Sequence, residues 1–200
     1  MRQLSLADRG QTVSLDKAID DVAPTCMGVA RLGSLQTAGT SFSVWMQVRG
    51  TSWVEAKEGR FRLRQGEWIA FEKESRPLVQ AGRNGLCVGM NLNVEALRVL
   101  TEMADCGLYA GRGQMNRADA RVALRLWRDA LASGQPAQAL RPLLLHLAGL
   151  QRSLADNVQR CPGRSRSRKR QVFGRMQRAR LYLEGNSHRV VRIGELAELT

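Results

Sequence analysis

The sequence predicts an α+β protein: an antiparallel β-barrel first, then helices, then the beginning of a small all-α unit. Three observations carry this. Residues 40–92 alternate apolar and polar side chains between closely spaced glycines. Near Leu92 the apolar period lengthens from two to about 3.6. After a basic stretch broken by Pro162 and Gly163, helical spacing resumes and continues to the last residues.

Residues 1–34 are mixed and are expected to form short irregular elements or edge strands, with a break at Pro24. From there the strands are easier to place. Phe42, Val44, Met46 and Val48 sit at period two, and Arg60, Arg62 and Arg64 alternate with Phe61 and Leu63. Such alternation marks half-buried antiparallel strands. Lys57-Glu58-Gly59 and Gln65-Gly66-Glu67 read as turns in which glycine supplies a positive φ. Several short strands at even spacing imply a small barrel or sandwich.

Asn93 is a candidate N-cap for a helix over 94–104, and Asn116 for one reaching about Ala132. On the second helix Ala120, Ala123, Leu124, Trp127 and Leu131 share a face, with Arg121, Arg125 and Arg128 elsewhere. Gly134 and Pro136 end it. A third helix is expected from Ala137 to Val158. Its leucines, Leu140, Leu143, Leu147, Leu150 and Leu154, follow 3,4 spacing over about two heptads. That spacing suits a dimer seam or an intramolecular helix pair, and the dimer seam is the functional expectation. Residues 159–170 read as a basic linker in which Ser165 and Ser167 add polarity without order. The next helix, Gln171 to Glu184, carries Phe173, Met176, Ala179 and Leu183 on its apolar stripe. A short last helix begins at Ile193.

Charge narrows the function. Of 200 residues, 31 are Lys or Arg and 18 are Asp or Glu, a formal net charge of +13. The last 50 residues hold 12 basic and 4 acidic side chains, so a quarter of the chain carries most of the excess. This points to an anionic partner such as nucleic acid and away from a generic acidic enzyme. Arg164, Arg166, Arg168, Lys169, Arg170, Arg175 and Arg178 are the candidate phosphate contacts, since phosphate neutralisation releases condensed cations. No apolar run approaches the ~18 residues of a membrane span, and residues 1–10 lack the apolar core of a secretory signal. The four cysteines form no CxxC pair, which suits a reducing, cytoplasmic setting. Trp45, Trp53, Trp68 and Phe71 are candidates for lining an effector pocket, with core packing the alternative.

The stretch from Phe173 to Asn186, a short connection, and Ile193-Gly-Glu-Leu-Ala-Glu-Leu199 resemble the start of the DNA-binding domain of AraC/XylS-type transcription regulators. Ala179, Tyr182-Leu183, Ile193 and Leu196-Ala197 match the positions where that family packs its first two helices together. The likeness spans about 28 residues. It implies an N-terminal cupin-like sensor barrel (1–92), a helical dimerisation region (93–158), a basic linker (159–170) and a helix-turn-helix domain beginning at 171. The family's turn and recognition helix would follow the helix at Ile193, and these 200 residues do not contain them. Base-edge contacts in such motifs come from that recognition helix, so the remaining basic groups could position on phosphate without specifying sequence.

Enzymatic chemistry finds little support. His146 and His188 both lie outside the 40–92 strands, too few for a histidine-based metal site in the barrel. No metal, cofactor or catalytic residue is expected. The glycines at 107, 111 and 113 lack the Gly-Lys-Ser/Thr of a phosphate loop and read as a flexible connection. The sequence therefore predicts a dimeric, cytoplasmic AraC-like regulator with an unknown small-molecule effector and DNA as partner, lacking its base-reading helices. The alternative is a dimerising sensor fragment without specific DNA binding of its own.

Overall fold

The computed structural model describes residues 4–15, 24–98, 107–133 and 136–199. Eleven strands among these form two sheets. The first runs β1 (Leu4–Ala7), β3 (Thr25–Ala30), β10 (Leu86–Leu92), β5 (Phe42–Arg49), β8 (Glu67–Phe71), β11 (Gly111–Gln114) in spatial order. The second runs β2 (Thr12–Ser14), β4 (Ser34–Gln36), β9 (Leu78–Ala81), β6 (Thr51–Ala56), β7 (Gly59–Arg64). Only β1–β3 and β2–β4 pair in parallel. The α+β class holds, and the β-domain consists of two facing sheets rather than a hydrogen-bonded closed barrel.

The alternation of β5 to β8 places one set of side chains between the sheets. Trp45, Val54, Phe61, Leu63, Ile69 and Phe71 fill that space with Met27 and Val29 of β3. The opposite face of the first sheet is covered by helices. There Val44, Met46, Trp68, Val88 and Met90 pack on Trp127, Leu140, Leu143 and Leu147. Both turns form as the glycines require, with φ +125° at Gly59 in the β6–β7 hairpin and +85° at Gly66, where the chain crosses from the second sheet to the first.

Two strands escaped the pattern. β3 is a central strand, not an edge, and five of its six residues are buried. Buried on both faces, Thr25-Cys-Met-Gly-Val-Ala30 has no alternation to read. Gly111 and Gly113, expected in a flexible connection, lie in β11, which extends the first sheet beyond residue 92. A Cβ on Gly113 would meet the Trp68 indole at 3.0 Å, so glycine lets the strand lie against that ring.

The helices are α1 (Arg117–Ala132), α2 (Pro136–Ala139), α3 (Arg141–Leu150), α4 (Arg152–Arg160), α5 (Arg166–Gly185) and α6 (Ile193–Leu199). Asn116 caps α1 as expected, its Oδ1 accepting from the Asp119 N–H at 2.8 Å. Asn93 Oδ1 likewise accepts from the Ala96 N–H at 2.9 Å, and residues 94–98 are helical. The remainder of the expected 94–104 helix falls outside the described residues. The single helix expected from 137 to 158 is three helices. Its main break is Gln151, buried, whose amide accepts from the Tyr109 N–H at 2.9 Å and donates to the Tyr109 carbonyl at 3.0 Å. Satisfying a buried backbone pair this way fixes the chain's path between α3 and α4.

The leucine repeat is therefore internal for most of its length. Leu140, Leu143 and Leu147 are at most 4% exposed and belong to the core under the first sheet. Leu150 is half-buried against the same core, and Leu154 packs beside Val158, Cys161 and Phe173. As packed, these side chains leave no continuous leucine seam for a second chain. His146 Nε2 also faces inward, 3.1 Å from the Asp119 carbonyl oxygen of α1.

Leu147→Ala should destabilise the protein by about 2–5 kcal/mol, the cost of a cavity at a closed site, and leave its mass in solution unchanged. Urea denaturation with light scattering checks this; loss of a dimer without loss of stability would restore the seam. Trp127→Phe should cost about 0.5–1.5 kcal/mol in the same denaturation, the net worth of one hydrogen bond. The Trp127 Nε1–H donates to the Gly89 carbonyl at 2.9 Å, and phenylalanine would remove that tie between α1 and β10.

Candidate functional site

The basic segment does not behave as a linker throughout. Ser165 accepts from the Arg168 N–H at 3.2 Å and caps α5, so Arg166, Arg168, Lys169 and Arg170 stand on its first turns. Pro162 and Gly163 separate α4 from this cap, and the serine oxygen satisfies a helix-end donor. The buried stripe of α5 is Phe173, Gln177, Leu181 and Gly185, at four-residue spacing. The expected stripe differs: Met176 and Leu183 are 57% and 47% exposed. Gln177 and Gly185 do not score as apolar, yet they face the β-domain.

Through this stripe α5 is seated on the two sheets. Leu181 is 1% exposed and belongs to the core between the sheets. Phe173 meets the Tyr109 ring edge-on, with centroids 4.9 Å apart. Gly185 lies on Gly59 so closely that a Cβ on Gly59 would stand 2.6 Å from the Gly185 backbone. Beside them Glu58, in the β6–β7 turn, is buried. Its Oε1 accepts from Ser75 Oγ at 2.6 Å and from Arg178 Nε at 3.3 Å, while its carbonyl accepts from Asn186 Nδ2 at 3.0 Å.

The candidate phosphate contacts consequently divide. Arg164, Arg166, Arg168 and Arg175 are exposed. Lys169 is half-buried and donates to the Gln159 carbonyl at 2.6 Å. Arg170, Arg175 and Arg178 share with Glu72 and Glu74 the lining of a cleft of about 410 Å³. Arg178, engaged with Glu58, is withdrawn from any external phosphate. Burial pushes the Glu72 carboxyl above its ordinary range; Arg178 draws it down, and nearby Glu58 raises it.

The short C-terminal helix is tied on by a polar knot. Tyr182 Oη donates to Glu195 Oε2 at 2.9 Å, and Arg189 Nη2 reaches the same carboxylate at 2.7 Å. Arg189, with the Arg192 N–H and the Tyr182 hydroxyl, lowers the Glu195 pKa to about 2. Val190 and Ile193 remain 86% and 85% exposed. His188 is exposed, and Cys161 is buried beside Val158 and Phe173.

The four aromatic effector candidates do not converge. Trp45 and Phe71 are fully buried between the sheets, and Trp68 packs on the other face, under the helices. Trp53 is 42% exposed, with the Arg60 guanidinium 4.5 Å above its ring. They serve as core and surface packing. The molecule does have a cavity of about 600 Å³ elsewhere, between the outer face of the first sheet and the N-terminal half of α1. Sequence reasoning missed it. Its one signal was Arg117 and Arg121 in helical register with Ala120 and Leu124.

The sequence matches no protein-family model and no curated protein. Solved structures of similar shape exist. Apo ToxT from Vibrio cholerae, in a substituted form, is 7% identical; the match covers 88% of this chain and 68% of that one, with a TM-score of 0.48. ToxT of the same organism with unsaturated fatty acid bound is also 7% identical, over 89% and 69%, with a TM-score of 0.43. A Cupin 2 conserved barrel domain protein from Salinispora arenicola is 13% identical over 36% and 63%, with a TM-score of 0.32.

Two outcomes test the α5 contact. Arg178→Ala should lower stability by about 3 kcal/mol in urea denaturation, because it strands the buried Glu58 charge; an unchanged midpoint would remove the ion pair from the account. Glu72, its folded pKa raised, favours the folded state while protonated. That contribution is complete below the unfolded value of 4.5 and fades as pH rises through the higher folded value. Denaturation from pH 4 to 8 should show Glu72→Gln losing this downward slope relative to the parent. Parallel profiles would contradict it.

Proposed function

We propose that the chain is the sensor and connecting part of a cytoplasmic AraC-type transcription regulator, non-catalytic and responsive to a small effector. One observation carries the reading. Helix α5, which bears the family-like Ala179 and Tyr182-Leu183, is followed by α6 at Ile193 and is docked on the β-domain through Leu181, Gly185 and Arg178. A helix of that kind joined to a two-sheet domain is what a regulator needs to couple sensing to DNA. The exposed Val190 and Ile193 suit a further packing partner, and a base-reading helix belongs to this proposal. The homodimer expected from the leucine repeat loses its basis, because Leu140, Leu143 and Leu147 are internal.

On this reading the 200 residues bind DNA weakly and without sequence preference, through the exposed arginines. Fluorescence anisotropy across salt concentrations tests it. Log affinity should fall linearly with log salt, and Arg164→Ala/Arg168→Ala should make the slope shallower by about 1.8, two phosphates at about 0.9 each. Arg178→Ala, at a temperature where it stays folded, should leave the slope unchanged. Tight, salt-insensitive binding, or a slope indifferent to the double substitution, would overturn the proposal.

A further inference from the structure

We infer that the cavity between the first sheet and α1 is a binding site for a small organic anion with an apolar body. The inference rests on the sensor reading for its biological meaning only; the site itself is argued from its walls. The sheet supplies Met46 and Val88 as an apolar floor, and α1 supplies Ala120 and Leu124 as the facing wall. Arg117 and Arg121, both exposed, stand at the rim on the same helical face. None of the lining residues is acidic, and neither guanidinium has an ion-pair partner among the described residues.

The space is built into the helix. Positions 117, 120, 121 and 124 follow i, i+3, i+4, i+7 spacing and all reach the cavity. A helix meant to close on the sheet would carry apolar side chains at all four. Arginine at two of them keeps charge at the mouth, while the Met115 N–H, bonded to the Gly66 carbonyl at 2.8 Å, and Trp127, bonded to Gly89, tie the chain to the sheet on either side. The result is a gap that cannot close without burying two charges, which is costly. Two guanidiniums one turn apart also repel, and an anion between them removes that repulsion. A carboxylate suits them in particular, because arginine's planar fork pairs with it by two parallel hydrogen bonds. The volume of about 600 Å³ lies in the range of small-molecule sites. The space between the sheets, by contrast, is occupied by Trp45, Phe61, Phe71 and Met27.

Isothermal titration of the 200-residue chain with 3-phenylpropanoate and its neutral isostere 3-phenylpropanamide tests the site. The acid should bind once per chain, at least about tenfold more tightly than the amide, the worth of a charge-assisted contact. Arg117→Gln/Arg121→Gln should erase that preference while leaving the thermal melt in place, since both residues are exposed. Ala120→Trp should fill the gap and abolish binding of both probes. Absence of binding by the acid would overturn the inference. So would an acid preference that survives the arginine substitutions, or equal binding of inorganic phosphate, which has no apolar body. No DNA enters the experiment, so a negative result removes this site and leaves the regulator reading to its own salt titration.

Discussion

A carboxylate buried in a hairpin turn holds the two halves of this molecule together. Glu58 sits at the tip of β6–β7, where turns are ordinarily solvated. Here α5 covers it, and Arg178 and Ser75 satisfy one of its oxygens. Withdrawing a charge from water is unfavourable unless partners are in place. The turn and the helix therefore depend on each other. Leu181 enters the space between the sheets beside this pair, so the core of the β-domain is completed by a residue more than a hundred positions beyond its last hairpin.

That arrangement changes the meaning of the basic segment. Nine Lys and Arg side chains between 160 and 180 with no acid among them suggest a single positive surface. The fold sorts them by direction instead. One edge of α5 pairs with Glu58 through Arg178 and borders the cleft that Glu72 and Glu74 also line. The other edge and the capping turn keep Arg164, Arg168 and Arg175 in solvent. The same helix thus reads the β-domain with some of its cations and remains open to an anionic polymer with the rest.

Much of the fold was legible wherever one face of an element is wet. β6 and β7 announced themselves by alternation, β5 by the Ser43 and Gln47 that interrupt its apolar residues although both its faces are covered, and Gly59, Gly66 and Asn116 marked their turns and cap because each has a local physical job. The remainder was hidden for reasons equally local. β3 is dry on both faces, so its pattern is continuous. β11 is built of glycine and polar residues, and the Trp68 ring that accounts for Gly113 lies far away in the sequence. Ser165 was masked by the charge around it. The leucines of α3 reported correctly that they are buried, and spacing alone cannot say by what. For the candidate site, the basic residues were found but not their division, and the cavity under α1 was visible only as two arginines out of place on an apolar face.

The meeting of Gly59 with Gly185 has a mechanical side. Two glycines in backbone contact leave no side chain to compress and no gap to slide into. Displacement of α5 towards the turn is blocked at this end. The helix runs from there to Arg166, about 28 Å at 1.5 Å per residue. Seated along that length as well, through Leu181 and Phe173, the helix works as a strut that sets how far its capping turn and arginines stand from the β6–β7 turn.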